Sequence, residues 1–215
     1  MAMAARDHDN PTQGSGARPR TQASGRRQLV ILGLLFLAPV VAAYVAYFFF
    51  PPEGRTNYGE LIEQRDVRDF PLAPLATAAG SVPEGATMAS FSGRWTFVVA
   101  APAACGERCR ESLYSIRQVR LATGDDRDRI ERLWIVTDER DPPADLLAEH
   151  DGLRLARADP LEFAATFPAG ETGDATAHIY LVDPLGHLMM RFPVDPDPAR
   201  MKKDISRLLK VSRIG

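Results

Sequence analysis

The chain's only two cysteines, Cys105 and Cys109, are the residues whose type and spacing best fit a chemical role. They lie four positions apart, where an apolar run gives way to a helical pattern. Cys105, Cys109, Leu113 and Ile116 recur at helical spacing, which predicts both sulfurs on one face of the first helical turns. Their Cα atoms are then close enough for a disulfide with a small adjustment of the loop.

The surroundings of the pair favour thiolate chemistry. A helix N-terminus and the flanking Arg108 and Arg110 both stabilise a thiolate over a thiol. A CxxxC pair of this kind suits dithiol–disulfide exchange, or the binding of a soft metal ion between two thiolates. A purely structural disulfide is the alternative, although a four-residue loop at a helix start restrains little chain.

A domain of alternating strands and helices is predicted to position the cysteines. Residues 95–100, an aromatic and β-branched run, predict a buried strand immediately before the pair. Pro184 and Gly186 stand at positions typical of a tight turn and predict a hairpin between strands 178–182 and 187–192. The other predicted elements are a strand at 133–137, a short apolar segment at 153–155, and helices at 105–124, 144–149, 160–167 and 198–211. This order predicts an α/β fold, a mixed sheet with helices on both faces.

A membrane anchor is predicted before this domain. Residues 29–50 carry no charge and as a helix would span roughly 33 Å, enough for a bilayer core. The segment is longer than a signal-peptide core and ends in Phe48-Phe49-Phe50-Pro51, without small residues for cleavage. Arg18, Arg20, Arg26 and Arg27 precede it and few basic residues follow closely, so the N-terminus is expected in the cytoplasm and the domain in the periplasm, held by the inner membrane.

The remaining segments complete the predicted organisation. Composition predicts a disordered cytoplasmic tail over 1–28, and a linker over 51–69 that includes a turn or two of helix at 58–65. The exported domain is then expected over 70–215, beginning with an extended edge at 69–75. The formal net charge of −2 gives no overall signal for a polyanionic partner, and no phosphate loop or nucleic-acid-binding stripe is recognisable.

Three segments and the anchor occur in an informative order. FSGRWTFVV at 91–99 leads into the CxxxC, IVTDERDP follows at 135–142, and DATAHIYLVDPLG follows at 174–186. Over residues 70–212 this arrangement resembles the Sco/SenC family of cytochrome c oxidase assembly proteins, within the thioredoxin-like fold. The resemblance implies copper as a cofactor or cargo. It also implies a copper-receiving oxidase subunit and redox or copper-donor proteins as partners.

The sequence departs from that family at the metal site. Gly106 and Arg110 stand where the family has proline after each cysteine. Ala175 stands where the family has its metal-binding histidine, five residues before Tyr180. His178 is the nearest histidine, but along an extended strand it lies about 10 Å further on and faces the opposite side. It joins Cys105 and Cys109 as a third metal ligand only if residues 174–177 form a loop.

Three functions remain open from the sequence. The first is a Sco-like assembly factor that delivers copper or reduces the cysteines of the copper-receiving subunit. The second is a general membrane-tethered thiol–disulfide oxidoreductase, although the CxxxC spacing and the lack of a proline directly before the 178–182 strand count against it. The third is a non-catalytic scaffold for an assembly partner. Two thiolates alone satisfy Cu(I) but not Cu(II), so Cu(I) is the favoured metal.

Overall fold

The computed structural model describes residues 22–49, 57–76, 80–212 and 214. The chain divides into two compact units, Met1–Arg55 and Thr56–Gly215. Residues 51–56 of the predicted linker and residues 1–21 of the predicted disordered tail lie outside the described residues.

The first unit contains one long helix, α1 (Gln22–Phe49), with Pro39 in its interior. Its segment Gly25–Phe48 has a mean hydropathy of 2.6, and its apolar side chains are exposed. By length and composition this helix can cross a membrane. It begins at Gln22, so residues 22–28 are helical although the sequence predicted disorder up to residue 28.

The second unit is built on a six-stranded sheet with a small two-stranded sheet beside it. The strands are β1 (Glu60–Asp66), β2 (Pro71–Leu72), β3 (Ala86–Thr87), β4 (Trp95–Ala101), β5 (Ile130–Val136), β6 (Arg154–Arg157), β7 (Ile179–Val182) and β8 (His187–Arg191). The helices are α2 (Glu107–Ala122), α3 (Ala144–Ala148), α4 (Pro160–Thr166) and α5 (Pro198–Val211). The large sheet has the order β1-β8-β7-β4-β5-β6, in which β4, β5 and β6 are parallel and the other pairs are antiparallel.

Both faces of the sheet are covered, as the order of elements predicted. All seven residues of β4 are buried, because this strand lies between β7 and β5 and is packed on both sides. On one face of the sheet, alternate strand residues pack against α2 and α5 and form a hydrophobic core; the helices contribute Leu113, Ile116 and Ile205 to it. The other core joins the opposite strand face to α4 and the segment before β4, including Phe163 and Phe91. The cysteine pair therefore follows the most enclosed strand of the fold.

The start of the globular unit differs from the sequence prediction. Residues 60–66 form β1, an antiparallel edge strand beside β8, where a turn or two of helix was predicted. The carboxylate of Asp204 on α5, which is 2% exposed, accepts hydrogen bonds from the N–H groups of Tyr58 and Gly59, both at 2.8 Å. The pairing of β1 with β8 and the hydrogen bonds to Asp204 favour an extended chain over the helix that the local sequence predicted. Residues 57–66 therefore belong to the folded unit and not to a linker.

The predicted hairpin between the last two strands is confirmed. β7 and β8 pair antiparallel, and Gly186 has φ +87°, a conformation that disfavours side-chain-bearing residues. Asp183 stabilises the turn because its Oδ1 accepts hydrogen bonds from the N–H groups of Leu185 (2.9 Å) and His187 (2.8 Å). The terminal helix α5 covers the predicted range 198–211.

Candidate functional site

Cys105 and Cys109 form a disulfide, with their Cα atoms 5.1 Å apart. The pair occupies the connection between β4 and α2, at the carboxyl end of the central strand. This places the sulfurs where the sequence predicted them, beside the N-terminus of the helix that follows the buried strand.

The prediction that both cysteines lie on one helical face is wrong for Cys105. α2 begins at Glu107 with Gly106 as its N-cap, and Cys105 has φ +40°, a left-handed conformation outside the helix. Its N–H donates to the carbonyl of Pro102 at 2.9 Å, which closes a turn after β4. Cys109 lies within the first turn of α2, on the buried face. The turn brings Cys105 back toward the helix, and so two different backbone environments supply the two sulfurs.

The two cysteines also differ in access to solvent. Cys105 is 1% exposed and belongs to the core, whereas Cys109 is 8% exposed. Cys109 lines an open recess of about 250 Å³, and Cys105 is not part of its wall. Other residues of the wall are Pro102, Gly106, Arg108, Ser112 and Thr176. A reagent or partner thiol that enters this recess therefore meets Cys109 first.

The segment before β7 reaches the recess through Thr176. Residues Ala175–Ala177 form a short 3₁₀ turn, and the carboxylate of Asp174 accepts a hydrogen bond from the N–H of Thr176 at 2.8 Å. Ala175 is 3% exposed and packs in the opposite core, where its carbonyl accepts the Tyr180 hydroxyl at 2.9 Å. The family resemblance implied Ala175 at the metal-binding position, but in the structure Thr176 is the residue that shares the recess with Cys109.

His178 is held by the main chain. Its Nδ1 lies 2.9 Å from the carbonyl oxygen of Phe192, and its Nε2 lies 3.0 Å from that of Ala169. The Thr172 hydroxyl is also 2.9 Å from Nε2. A metal-binding imidazole needs a free lone pair, and both ring nitrogens are engaged here. His178 is also not among the residues that line the recess of Cys109.

The predicted three-residue metal set is accordingly not assembled. Within the described ranges, no three His, Cys, Asp or Glu side chains come together in an arrangement suited to a metal ion. Cys105 and Cys109 remain together, and His178 is positioned to stabilise the connection before β7. His187, at the start of β8, has its Nδ1 3.3 Å from an Asp183 carboxylate oxygen, on the hairpin turn.

An acidic residue from the next strand supports the cysteine loop. Oδ1 of Asp138, just after β5, accepts a hydrogen bond from the N–H of Ala103 at 2.9 Å. Burial alone would raise the pKa of Asp138, but the Ala103 N–H and the Arg140 guanidinium outweigh it, and the pKa is lowered. Arg157 fixes the Asp138 loop, because its Nε donates to the carbonyl of Asp138 (2.9 Å) and its Nη2 to that of Glu139 (3.0 Å). The DERDP segment thus serves as a support for the loop before Cys105, a role that its sequence alone did not reveal.

The assembled site can carry out thiol–disulfide exchange. One sulfur faces a recess, the other is enclosed just before the helix, and the N-cap Gly106 leaves the first N–H groups of α2 without a side-chain partner. Those N–H groups favour negative charge near the helix start, which stabilises a departing thiolate. When reduced, the same pair offers two soft ligands.

Similar structures were found among known proteins. Apo Sco1 from Thermus thermophilus matches with a TM-score of 0.55 at 20% identity, over 71% of this chain and 96% of that one. Copper-bound yeast Sco1 matches with 0.51 at 17% identity, over 74% and 96%. BsSco, a Sco-family cytochrome c oxidase assembly protein with a disulfide switch, matches with 0.50 at 13% identity, over 69% and 96%. At these identities the likeness establishes the fold. No curated protein matches the sequence.

A mixed sheet covered by helices on both faces, with a cysteine pair at the start of the helix after its central strand, defines a thioredoxin-like protein. The resemblance to Sco proteins expected from the sequence is confirmed at the level of the fold. The chain belongs to the family described as transmembrane-like, thioredoxin-like, C-terminal domain, which it matches over residues 95–212.

Proposed function

We propose that this protein is a membrane-anchored, Sco-like assembly factor for cytochrome c oxidase. Its Cys105–Cys109 pair would reduce the cysteines of the copper-receiving subunit. The observation that carries the proposal is the disulfide, with one sulfur open to a recess, on a fold shared with Sco proteins. The proposal keeps α1 as the anchor in the inner membrane, with the N-terminus in the cytoplasm and the globular unit in the periplasm, where disulfides persist.

The exchange would proceed in two balanced steps. In the reduced protein the Cys109 thiolate attacks one sulfur of the substrate disulfide, forms a mixed disulfide and releases one substrate thiolate. Cys105 then attacks Cys109, which closes the Cys105–Cys109 bond and releases the second substrate thiolate. Two electrons pass to the substrate, and an external dithiol reductant returns the pair to its reduced form. Asp138, whose carboxylate accepts the Ala103 N–H, would hold the loop before Cys105 in place.

Copper delivery is the second candidate function, and the reduced cysteine pair favours Cu(I) as its cargo. Two thiolates satisfy this soft ion, and the fold is that of copper-bound yeast Sco1. Cu(II) prefers an additional nitrogen ligand, and His178 is engaged elsewhere. The donor set therefore fits transient Cu(I) carriage better than stable Cu(II) retention.

Complementation of a strain lacking the protein tests the proposal. The measured quantities are cytochrome c oxidase activity and copper content in membranes, for the wild type and for Cys105→Ser/Cys109→Ser. Loss of both with the double variant supports a thiol-dependent role in assembly, and full complementation by that variant would leave only the scaffold function. Rescue of the variant by added copper would indicate delivery, whereas rescue by a small dithiol would indicate reduction. A general oxidoreductase would instead change the thiol state of many exported proteins.

A further inference from the structure

A buried serine stands one helical turn beyond the more accessible cysteine. Ser112 follows Cys109 by three positions on the buried face of α2 and is 9% exposed. Both residues belong to the wall of the recess of about 250 Å³. Side chains three positions apart on a helix are neighbours, with their Cβ atoms about 5–6 Å apart. The hydroxyl of Ser112 therefore lies beside the sulfur that an incoming reagent meets first.

The hydroxyl of Ser112 makes no hydrogen bond to any of the described residues. A helical serine or threonine often donates to a carbonyl of the preceding turn, as Thr166 does to Glu162 at 3.0 Å. Nor is the Ser112 oxygen among the fully enclosed atoms that lack a partner, so it is reached through the recess. A largely buried polar group without a partner is unusual in a folded protein and points to a role outside packing.

The other hydroxyl of the recess is already committed. The Oγ1 hydroxyl of Thr176 donates to Oδ1 of Asp174 at 2.7 Å. The charged residues of the wall are Glu107 and Arg108, which have opposite signs and are both exposed. Within the described wall of the recess, Ser112 is thus the residue whose hydroxyl hydrogen is free for the sulfur of Cys109.

The need for this donor depends on the redox state of Cys109. In the disulfide the Cys109 sulfur is neutral and a weak acceptor, so the hydroxyl of Ser112 has no strong partner there. Reduction produces a thiolate, and a hydrogen bond to an ionised group is stronger than a bond between neutral groups. Rotation of the Ser112 side chain between staggered positions turns the hydroxyl without moving α2. The hydroxyl therefore gains its acceptor only when the cysteine pair is reduced.

We propose that Ser112 is a catalytic residue of the thiol–disulfide exchange, because its hydroxyl donates a hydrogen bond to the Cys109 thiolate of the reduced protein. The inference rests on the exchange chemistry of the proposed function and adds the group that stabilises the attacking sulfur. The proton stays on the Ser112 oxygen throughout, and the bonds and electrons move as described above. The same hydrogen bond stabilises Cys109 as a leaving group, when the second thiolate of the external dithiol releases it from their mixed disulfide.

The titration of Cys109 tests the inference in the full-length protein in detergent, with Cys105→Ser as the parent so that one thiol remains. Ultraviolet absorbance of the thiolate measures the pKa of Cys109, and stopped-flow reaction with an aromatic disulfide measures its rate over the same pH range. Ser112→Ala should raise the pKa of the Cys109 thiol by about one unit, the effect of one hydrogen bond to a charged group.

The rates should change in opposite directions at the two ends of the pH range. The intrinsic nucleophilicity of a thiolate rises with its pKa with a slope of about one half. Ser112→Ala should therefore react about threefold more slowly at acidic pH, where fewer thiolates form, and about threefold faster where the thiol is fully ionised. The rate profiles of Ser112→Ala and the parent should cross, whereas a change in access alone would shift the rate by one factor at every pH.

Matched variants separate the hydrogen bond from packing. Ser115→Ala removes another buried hydroxyl of α2, at a residue that is 6% exposed and lies outside the recess wall, and it should leave the pKa and the rates unchanged. Ser112→Thr keeps a hydroxyl and should keep the parent pKa. Ser112→Ala should unfold at about the same urea concentration as the parent, because the group that it removes has no partner in the oxidised fold.

The failure of this inference can be told apart from failure of the proposed function. An unchanged Cys109 pKa in Ser112→Ala, or an equal shift in Ser115→Ala, would overturn the role of Ser112 and leave it as a packing residue. Neither result depends on the substrate of the exchange. Full complementation by Cys105→Ser/Cys109→Ser would overturn the proposed function while a shifted pKa in Ser112→Ala still stood.

Discussion

Thr176 lines the same recess as Cys109, although the family resemblance implied the neighbouring Ala175 at that position. The Asp174 carboxylate caps the 3₁₀ turn through the Thr176 N–H, which directs Thr176 outward, and Ala175 is enclosed in the opposite core. A histidine at position 175 would therefore point into the opposite core and not toward the cysteines. Residue 176, rather than residue 175, is therefore the position from which a side chain could join Cys109 in its recess.

Thr176→His is expected to create a Cu(II) site. The new imidazole would enter the recess of Cys109 and supply the nitrogen that Cu(II) requires beside thiolate. Reduced Thr176→His protein should hold one Cu(II) with intense visible absorption from thiolate charge transfer, whereas the wild type should not retain Cu(II). Anaerobic titration followed by visible spectroscopy measures this.

Two further variants control that experiment. Ala175→His should not reproduce the absorption, because residue 175 is 3% exposed and its side chain faces the core. Thr176→His combined with Cys109→Ser should lose it, because a thiolate ligand is removed. Stable Cu(II) binding by Ala175→His and not by Thr176→His would show that the 174–177 segment has another register in the reduced protein.

The difference in exposure between the two sulfurs predicts unequal reactivity. In Cys105→Ser the remaining Cys109 faces the recess, whereas in Cys109→Ser the remaining Cys105 is 1% exposed. Because exchange rates depend on access, Cys105→Ser should react with an aromatic disulfide reagent roughly tenfold faster than Cys109→Ser. Stopped-flow absorbance at several pH values separates access from thiolate fraction. Faster reaction of Cys105 across the whole pH range would contradict the assignment of Cys109 as the attacking sulfur.

Replacement of Asp204 is expected to lower the free energy of unfolding strongly, because this residue anchors the start of the folded unit. Its enclosed carboxylate accepts the N–H groups of both Tyr58 and Gly59, and its removal leaves one buried and one partly buried donor unsatisfied. Asp204→Ala should destabilise the protein by about 2–4 kcal/mol. Urea unfolding monitored by tryptophan fluorescence measures the change. Asp197→Ala, which removes only the N-cap of the same helix, should cost about 1 kcal/mol, and equal effects of the two variants would refute a special role for Asp204.

The order of elements could be predicted from the sequence because each main element carries a strong local signal. β4 is rich in aromatic and β-branched residues, and α5 presents Met201, Ile205 and Leu209 at helical spacing. β1 could not be predicted in this way. Its residues are mostly polar and exposed at a sheet edge, and pairing with β8 holds them extended, which is a non-local effect.

The candidate site was predictable in its chemistry and not in its detailed geometry. The spacing of Cys105 and Cys109 predicted a pair within disulfide reach, which the structure contains. Helical periodicity could not show that Cys105 stands outside α2, because the turn after Pro102 depends on a main-chain hydrogen bond. Nor could it show that Asp138 supports this turn, since that contact joins residues 35 positions apart.

The enclosure of His150 predicts a specific dependence of stability on pH. Burial lowers the pKa of His150 below its ordinary value of 6.5, and the positive charges of Arg132 and Arg117 lower it further, against an opposing effect of Glu149. The unfolded chain therefore binds a proton at this residue more readily than the folded chain does. His150 contributes fully to stability above pH 6.5, and this contribution is lost as the pH falls through the lowered folded-state pKa.

The measurement compares the wild type with His150→Gln by urea unfolding between pH 8 and pH 5 in phosphate-free buffers. The variant lacks the titrating ring, so the stability of the wild type relative to the variant should be constant near pH 8 and decrease as the solution is acidified below about pH 6.5. Arg132→Met in the wild-type background should weaken this decrease, because a charge that opposes protonation of His150 is removed. A difference that stays constant down to pH 5, or grows on acidification, would show that the His150 ring is not held in its neutral form by this cluster.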